Sequence, residues 1–172
     1  LVGSEMCIRD RMWTLRGNRD RKYYEIRETK VPAMIIELLS HQNFDDMKYG
    51  LDPAFRFDVS RAVYKGILRF LSRRYNTPYV VQPLPVGHFS IKAQGGGRYN
   101  LSWRQTTDPL EKTAYPKYYV VEERIDNGAF RAVATVAEPR YEVTVTDSRI
   151  HSYRIVAGND GGTSFPLSLI HI

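Results

Sequence analysis

Cysteine is nearly missing from this chain: its 172 residues hold one, Cys7. A single thiol excludes an internal disulfide and any cysteine-based metal site. Histidine is also scarce, at positions 41, 88, 151 and 171 only. None falls in Met12–Lys30. Long apolar runs are lacking, and no stretch approaches the roughly 20 residues of a membrane-spanning helix. No Ser/His/Asp constellation or nucleotide fingerprint occurs. Gly95-Gly96-Gly97 is not followed by Lys-Ser/Thr, so it reads as a loop between strands and not as a phosphate cradle.

What is present suits folded protein, with 42% hydrophobic residues and a formal charge of +6. The charge is uneven. Residues 1–76 carry 15 Lys and Arg against 10 Asp and Glu, whereas 77–172 carry 10 against 9. A basic first half can favour an anionic polymer, although such charge is more often a solvated face. No recognition motif points to nucleic acid, and none is expected as a partner.

The chain divides by pattern. Val31–Asp46 centres on an apolar run, Ala33-Met34-Ile35-Ile36, preceded by Pro32 and ending in Glu37. It reads as a buried strand of an α/β sheet, with Glu37 at the carboxyl end where such sheets present working groups. Tyr23, Tyr24 and Arg27 fit a helical face before it, and Ser40–Gly50 reads as a polar loop after it. Trp13 and the tyrosines suit packing against the sheet better than a sugar-stacking groove. Asp52 and Pro53 then open a helix as N-cap and first helical residue. Its apolar stripe runs through Phe55, Val59, Ala62, Val63, Gly66, Ile67, Phe70 and Leu71, with Arg69, Arg73 and Arg74 at the end. Tyr75–Pro85 holds three prolines and no periodicity, which predicts a stiff linker.

Beyond it the period changes from helical to alternating. Strands are expected around Phe89–Ile91, Tyr99–Trp103, Lys117–Ile125, Phe130–Val136, Tyr141–Val145, Tyr153–Ala157 and Thr163–Phe165. Asp126-Asn127-Gly128 marks a hairpin. Seven short strands without a helix argue for a β-sandwich. His88 and His151 fall at strand edges and read as solvent-exposed.

Two resemblances arise at these residues. Pro32, Glu37, Asn43 and Asp46 have the spacing that closes zinc-dependent N-acetylmuramoyl-L-alanine amidases, although Leu39-Ser40 stands where that family usually has Gly-Phe. The resemblance covers Trp13–Leu71. It implies the last strand and flanking helices of an α/β domain, Glu37 as catalytic acid/base beside zinc, and peptidoglycan as substrate. His41, Asn43 and Asp46 would face substrate or organise the loop. In that family His, Glu and His from upstream segments hold the metal, so zinc belongs to the intact parent and none is expected on this chain alone. An unmetallated carboxylate cannot supply the nucleophile.

The second resemblance covers Val86–Pro166. Trp103 and Tyr153-Arg-Ile-Val-Ala-Gly-Asn159-Asp-Gly161-Gly-Thr-Ser164 are similar to the signature strands of fibronectin type III domains. Trp103 and Tyr153 would be core residues, with Tyr153 as the tyrosine corner. The ends, Leu1–Arg11 and Leu167–Ile172, resemble translated adapter read-through and are expected to be a non-native leader and tail.

The expected organisation is therefore an amidase-like α/β part over 12–74, a linker over 75–85 and an all-β fibronectin type III-like sandwich over 86–166. The implied function is that of a secreted or cell-envelope peptidoglycan hydrolase fragment. The alternative is a non-catalytic carbohydrate-binding or adhesion module of a secreted polysaccharide-acting protein.

Overall fold

The computed structural model describes residues 22–171 and, ahead of them, 6–9 and 12–15; side chains are described from 22 to 166. The chain forms two compact units, Leu1–Leu71 and Ser72–Ile172.

In the first unit, β1 (Met6–Arg9) pairs antiparallel with β2 (Met12–Leu15). The segment read as a non-native leader thus supplies a paired strand. The helix expected ahead of Val31 is one turn, α1 (Tyr24–Arg27), without a side-chain cap or a buried residue. An isolated turn fixes several dihedrals for one hydrogen bond, and the charges around these tyrosines offer no apolar face to extend it.

Residues 32–40 form neither strand nor helix. This corrects the expected Ala33–Ile36 strand. A β-prone run becomes a strand only when a neighbour supplies N–H and C=O partners, and among the described residues no strand pairs with it. Val31, Met34 and Ile35 are consequently exposed. The Ser40–Gly50 segment, expected as a loop, contains α2 (Phe44–Leu51). Asn43 caps it by accepting from the Asp45 N–H, and Asp45 and Asp46 complement the dipole in its first turn.

The long helix lies where the sequence places it, as α3 (Pro53–Tyr75). Asp52 accepts from the Ala54 N–H at 2.9 Å and Pro53 takes the first position. Phe55, Val59, Val63, Gly66 and Phe70 make a half-buried face, whereas Ile67 and Leu71 are exposed. No residue of α3 is fully buried, so the expected burial against a sheet is not seen among the described residues.

The second unit is a sandwich of two antiparallel sheets. One has the order β3 (Gly87–Gly95), β4 (Arg98–Arg104), β7 (Arg140–Thr144). The other runs β10 (Leu167–His171), β8 (His151–Asn159), β5 (Tyr118–Ile125), β6 (Arg131–Val136), with the two-residue β9 (Gly162–Thr163) also on β8. Three strands facing four in this order are the topology of a fibronectin type III-like sandwich. The segment read as a non-native tail is its edge strand, held by Leu167↔Ile155 and His171↔Ser152 pairing. An otherwise open edge of β8 accepts any extended chain of suitable reach.

Alternation decides the core. Leu101 and Trp103 of β4, Tyr119 and Val121 of β5, and Tyr153, Ile155 and Ala157 of β8 all point inward and are buried. Trp103 stands edge-on to Tyr119, with ring centroids 5.4 Å apart, and to Phe89 at 6.3 Å. The proline-rich segment contributes too. Val81, Pro83 and Val86 are fully buried, and Asn159 Nδ2 donates to the Val81 carbonyl at 2.9 Å. The stiff linker expected over 75–85 is therefore extended, but its second half belongs to the sandwich core. Gly161 permits this docking, because a Cβ there would overlap the Val80 carbonyl. At the far end of β3, Gly96 and Gly97 both take positive φ, which closes the β3–β4 hairpin with the twist its strands require.

Removing the central ring should be costly. Trp103→Ala is expected to destabilise the sandwich by about 3–5 kcal/mol, read from denaturant unfolding. A Gly161→Ala chain should unfold at lower denaturant by separating Val80 from the β8–β9 turn. An unchanged midpoint would contradict that docking.

Candidate functional site

Glu37 lies in the irregular stretch of residues 32–40 and is exposed, as is His41. The residues on the C-terminal side of Glu37 are better organised. The Asp46 side chain is fully buried, and its Oδ2 accepts the Ser40 N–H at 2.9 Å. Asn43 donates its backbone N–H to the Ser40 carbonyl at 3.0 Å while its side chain caps α2. Leu39 packs against Gly50, where an added Cβ would come within 3.2 Å of Leu39 Cδ1. Leu39 and Ser40, the departures from the amidase pattern, thus serve as the packing and hydrogen-bonding sides of one turn. Glu37 precedes this turn–helix unit and remains solvent-facing.

The zinc chemistry implied by the amidase resemblance needs three protein ligands and an open position. Among the described residues, no three His, Cys, Asp or Glu side chains converge to hold a metal. Asp46 is already committed to the Ser40 amide, and Glu37 and His41 do not complete a set. The residues do not fit the metal. Trp13 has its side chain outside the described residues; Tyr23 and Tyr24 are exposed and form no groove wall with a buried face.

The sandwich carries two polar features. Along β3 and β4 runs a groove of about 510 Å³, lined by His88, Phe89, Ser90, Ser102, Trp103 and Arg104. The Ser90 and Ser102 hydroxyls lie 2.9 Å apart across the strands. Trp103 is 4% exposed, so it is a core ring and not a stacking platform.

The second feature is a charged cluster at the end of the sandwich where β5 turns into β6. Glu123 shares the inward parity of Tyr119 and Val121, so its carboxylate requires partners inside the fold. The Tyr153 hydroxyl donates to its Oε1 at 2.5 Å, and His151 Nδ1 lies 2.8 Å from the same oxygen. His151 Nε2 lies 2.9 Å from Asp147 Oδ1. Arg149 donates from Nη2 and Nε to Asp147 Oδ2 at 2.7 and 2.9 Å. The Ile150 N–H donates to Asp126 Oδ1, and the Asp126 N–H returns to the Ile150 carbonyl.

Titration behaviour is set by these contacts. The Glu123 hydrogen bond, with Asp147 behind it, raises the His151 pKa against the opposing effect of burial. Hydrogen bonds from His151 and then Arg149 hold the Asp147 carboxyl below the usual carboxylate range. Burial, then Glu123, pushes the Tyr153 hydroxyl above an ordinary phenol.

His151 is therefore not the exposed edge residue that its position suggests; it is buried between two carboxylates. Tyr153 is likewise buried, but its hydroxyl goes to the Glu123 side chain, not to the upstream backbone that a tyrosine corner uses. Both contacts were open to strand parity. Glu123 alternates with Tyr119 and Val121, and His151 with Tyr153 and Ile155.

No family model and no curated protein matches the chain. Similar solved structures each match about half of the chain. Titin kinase with its flanking domains is 20% identical, with a TM-score of 0.44 over 52% of this chain and 16% of that one. Titin domains A168–A170 are 20% identical, with a TM-score of 0.46 over 53% and 32%. A human fibronectin type III domain, the fourth of its protein, is 19% identical, with a TM-score of 0.46 over 53% and 78%. The chain thus spans under a third of the two titin structures. Strand order and the Trp103 core, not these likenesses, define the fold.

Each contact in the Ser40–Leu51 unit has a test. Asp46→Ala leaves the Ser40 amide without its acceptor and should cost about 1–3 kcal/mol. Asn43→Ala removes the α2 cap at about 1 kcal/mol. Helical circular dichroism under denaturant would measure both, and an Asp46→Ala loss smaller than that of Asn43→Ala would contradict the buried role.

Proposed function

We propose that this chain works as a non-catalytic fibronectin type III-like module of a secreted, polysaccharide-acting protein, spacing or holding its neighbour on a cell-envelope glycan. The observation that carries the reading is the sandwich itself, which buries its own Trp103–Tyr153 core and leaves a groove of hydroxyls with a guanidinium beside it. Ser90 and Ser102 suit sugar hydroxyls, and Arg104 suits the carboxylates or phosphates of envelope polymers. The activity of such a module lies in its surface and not in its fold.

Sedimentation with purified peptidoglycan, in the presence and absence of a chelator, tests this directly. The expected result is binding that survives chelation and weakens at least about tenfold in Arg104→Ala/Ser102→Val, as loss of a charge-assisted contact implies. No binding to peptidoglycan or to other envelope polysaccharides would overturn the reading.

A second reading is favoured by one observation: Pro32, Glu37, Asn43 and Asp46 keep amidase spacing, and Asn43 and Asp46 build the turn–helix that comes after a solvent-facing Glu37. In it Glu37 handles a proton for amide cleavage in peptidoglycan, with the metal donors supplied from outside the described residues. Glu37→Ala in the full-length protein should then abolish turnover without lowering the melting temperature. Retained turnover would remove Glu37 from the chemistry.

A further inference from the structure

The cluster at the end of the sandwich makes a mechanical demand on its imidazole. Both ring nitrogens of His151 meet carboxylate oxygens, Nδ1 against Glu123 and Nε2 against Asp147. Carboxylates only accept hydrogen bonds, and a neutral imidazole carries one N–H. Satisfying both contacts therefore requires the imidazolium. Deprotonation leaves one ring nitrogen facing a carboxylate, lone pair to lone pair.

The two carboxylates are not equally free to respond. Glu123 sits within β5, paired on both sides, and keeps the Tyr153 hydroxyl on the contacted oxygen. Asp147 belongs to the connection between β7 and β8, where its remaining partner is Arg149 of the same turn. The connection is tied to the β5–β6 turn through Asp126 and Ile150. The weak side is therefore Asp147 and the loop that carries it.

We propose that His151 is a proton-operated latch: as the imidazolium it holds the 145–150 loop, and through Ile150 the 126–128 turn, in one ordered surface at this end of the sandwich. Loss of the proton releases the loop at Asp147 while the strands stay paired. The charged groups against the ring are Glu123 from β5 and Asp147 from the loop; behind Asp147 stands Arg149, which also feels Asp126 of the turn and Glu123. Tyr153 lies on the same strand and Tyr141 on β7. On the far side of β8, His171 of β10 lies opposite Ser152.

The raised pKa of His151 sets the sign. The latch is fully closed below the ordinary imidazole pKa of about 6.5 and is lost as pH rises through the higher folded value. At the acid end Asp147, with its lowered pKa, sets the limit. Its contribution is present above the ordinary value of about 4 and fades only well below it.

Residue-resolved NMR of the whole chain from pH 5 to 9 tests the latch. The His151 ring should titrate above about 6.5. Corrected for intrinsic exchange, opening at the Arg149 and Ile150 amides should rise with the same midpoint, by up to about tenfold per pH unit. Amides of β5 should not follow. Asp147→Asn, a change in the loop that leaves both strands intact, should lower the His151 midpoint and flatten the pH response of Ile150. A ring that titrates at or below the ordinary value overturns the proposal. So does a ring that titrates while the Arg149 and Ile150 amides stay unchanged.

Discussion

The backbone of β8 is bonded along both edges, to β5 from Tyr118↔Gly158 through Ile125↔His151, and to β10 and β9 on the other side. Of its nine residues only Arg154 is not buried. A strand so placed can satisfy its amides in no other way, since water is excluded from it and each orphaned N–H or C=O would cost as much as a lost hydrogen bond. The remaining features of the sandwich are arranged around that requirement. Tyr153, Ile155 and Ala157 set the inner face against which Trp103 and Val121 pack. Asn159 at the end of the strand donates to the carbonyls of Val81, Thr113 and Tyr115, drawing three separate segments to one side chain.

The two ends of β8 are built differently. At Asn159 the partners are neutral carbonyls. At His151 the partners are carboxylates, and the hydroxyl of a core tyrosine is bonded to one of them. One strand thus joins a permanent clamp to one whose strength depends on a proton. The outer face adds a third arrangement, in which Arg154 pairs with Glu122 and lies over the Phe130 ring at 4.1 Å.

Much of this sandwich was legible from period-two patterning. Tyr99–Trp103, Tyr141–Val145 and Tyr153–Ala157 alternate cleanly, and each became a strand because one face had a core to meet. Asp52-Pro53 likewise marked the start of α3, since capping is local chemistry that needs no tertiary partner. Misreadings arose where a distant partner decides. Ala33–Ile36 has the composition of a buried strand but, among the described residues, no strand beside it. His151 stands at a strand end, yet the parity it shares with Tyr153 puts it inside. For Glu37 the sequence offered a spacing and the fold offers an exposed carboxylate ahead of a capped turn; the donors that would give it chemistry are not among the described residues.

Two units of unlike construction should not share one transition. The sandwich closes its own core, whereas α3 buries no residue fully and Val31, Met34 and Ile35 stand exposed. Native-state hydrogen exchange on the whole chain measures this most directly. The account predicts that β5 and β8 amides exchange only through global opening of the sandwich, while α2 and α3 open separately and at lower free energy. A single opening free energy common to α3 and β8 would contradict it, because the sandwich would then not be an independent module.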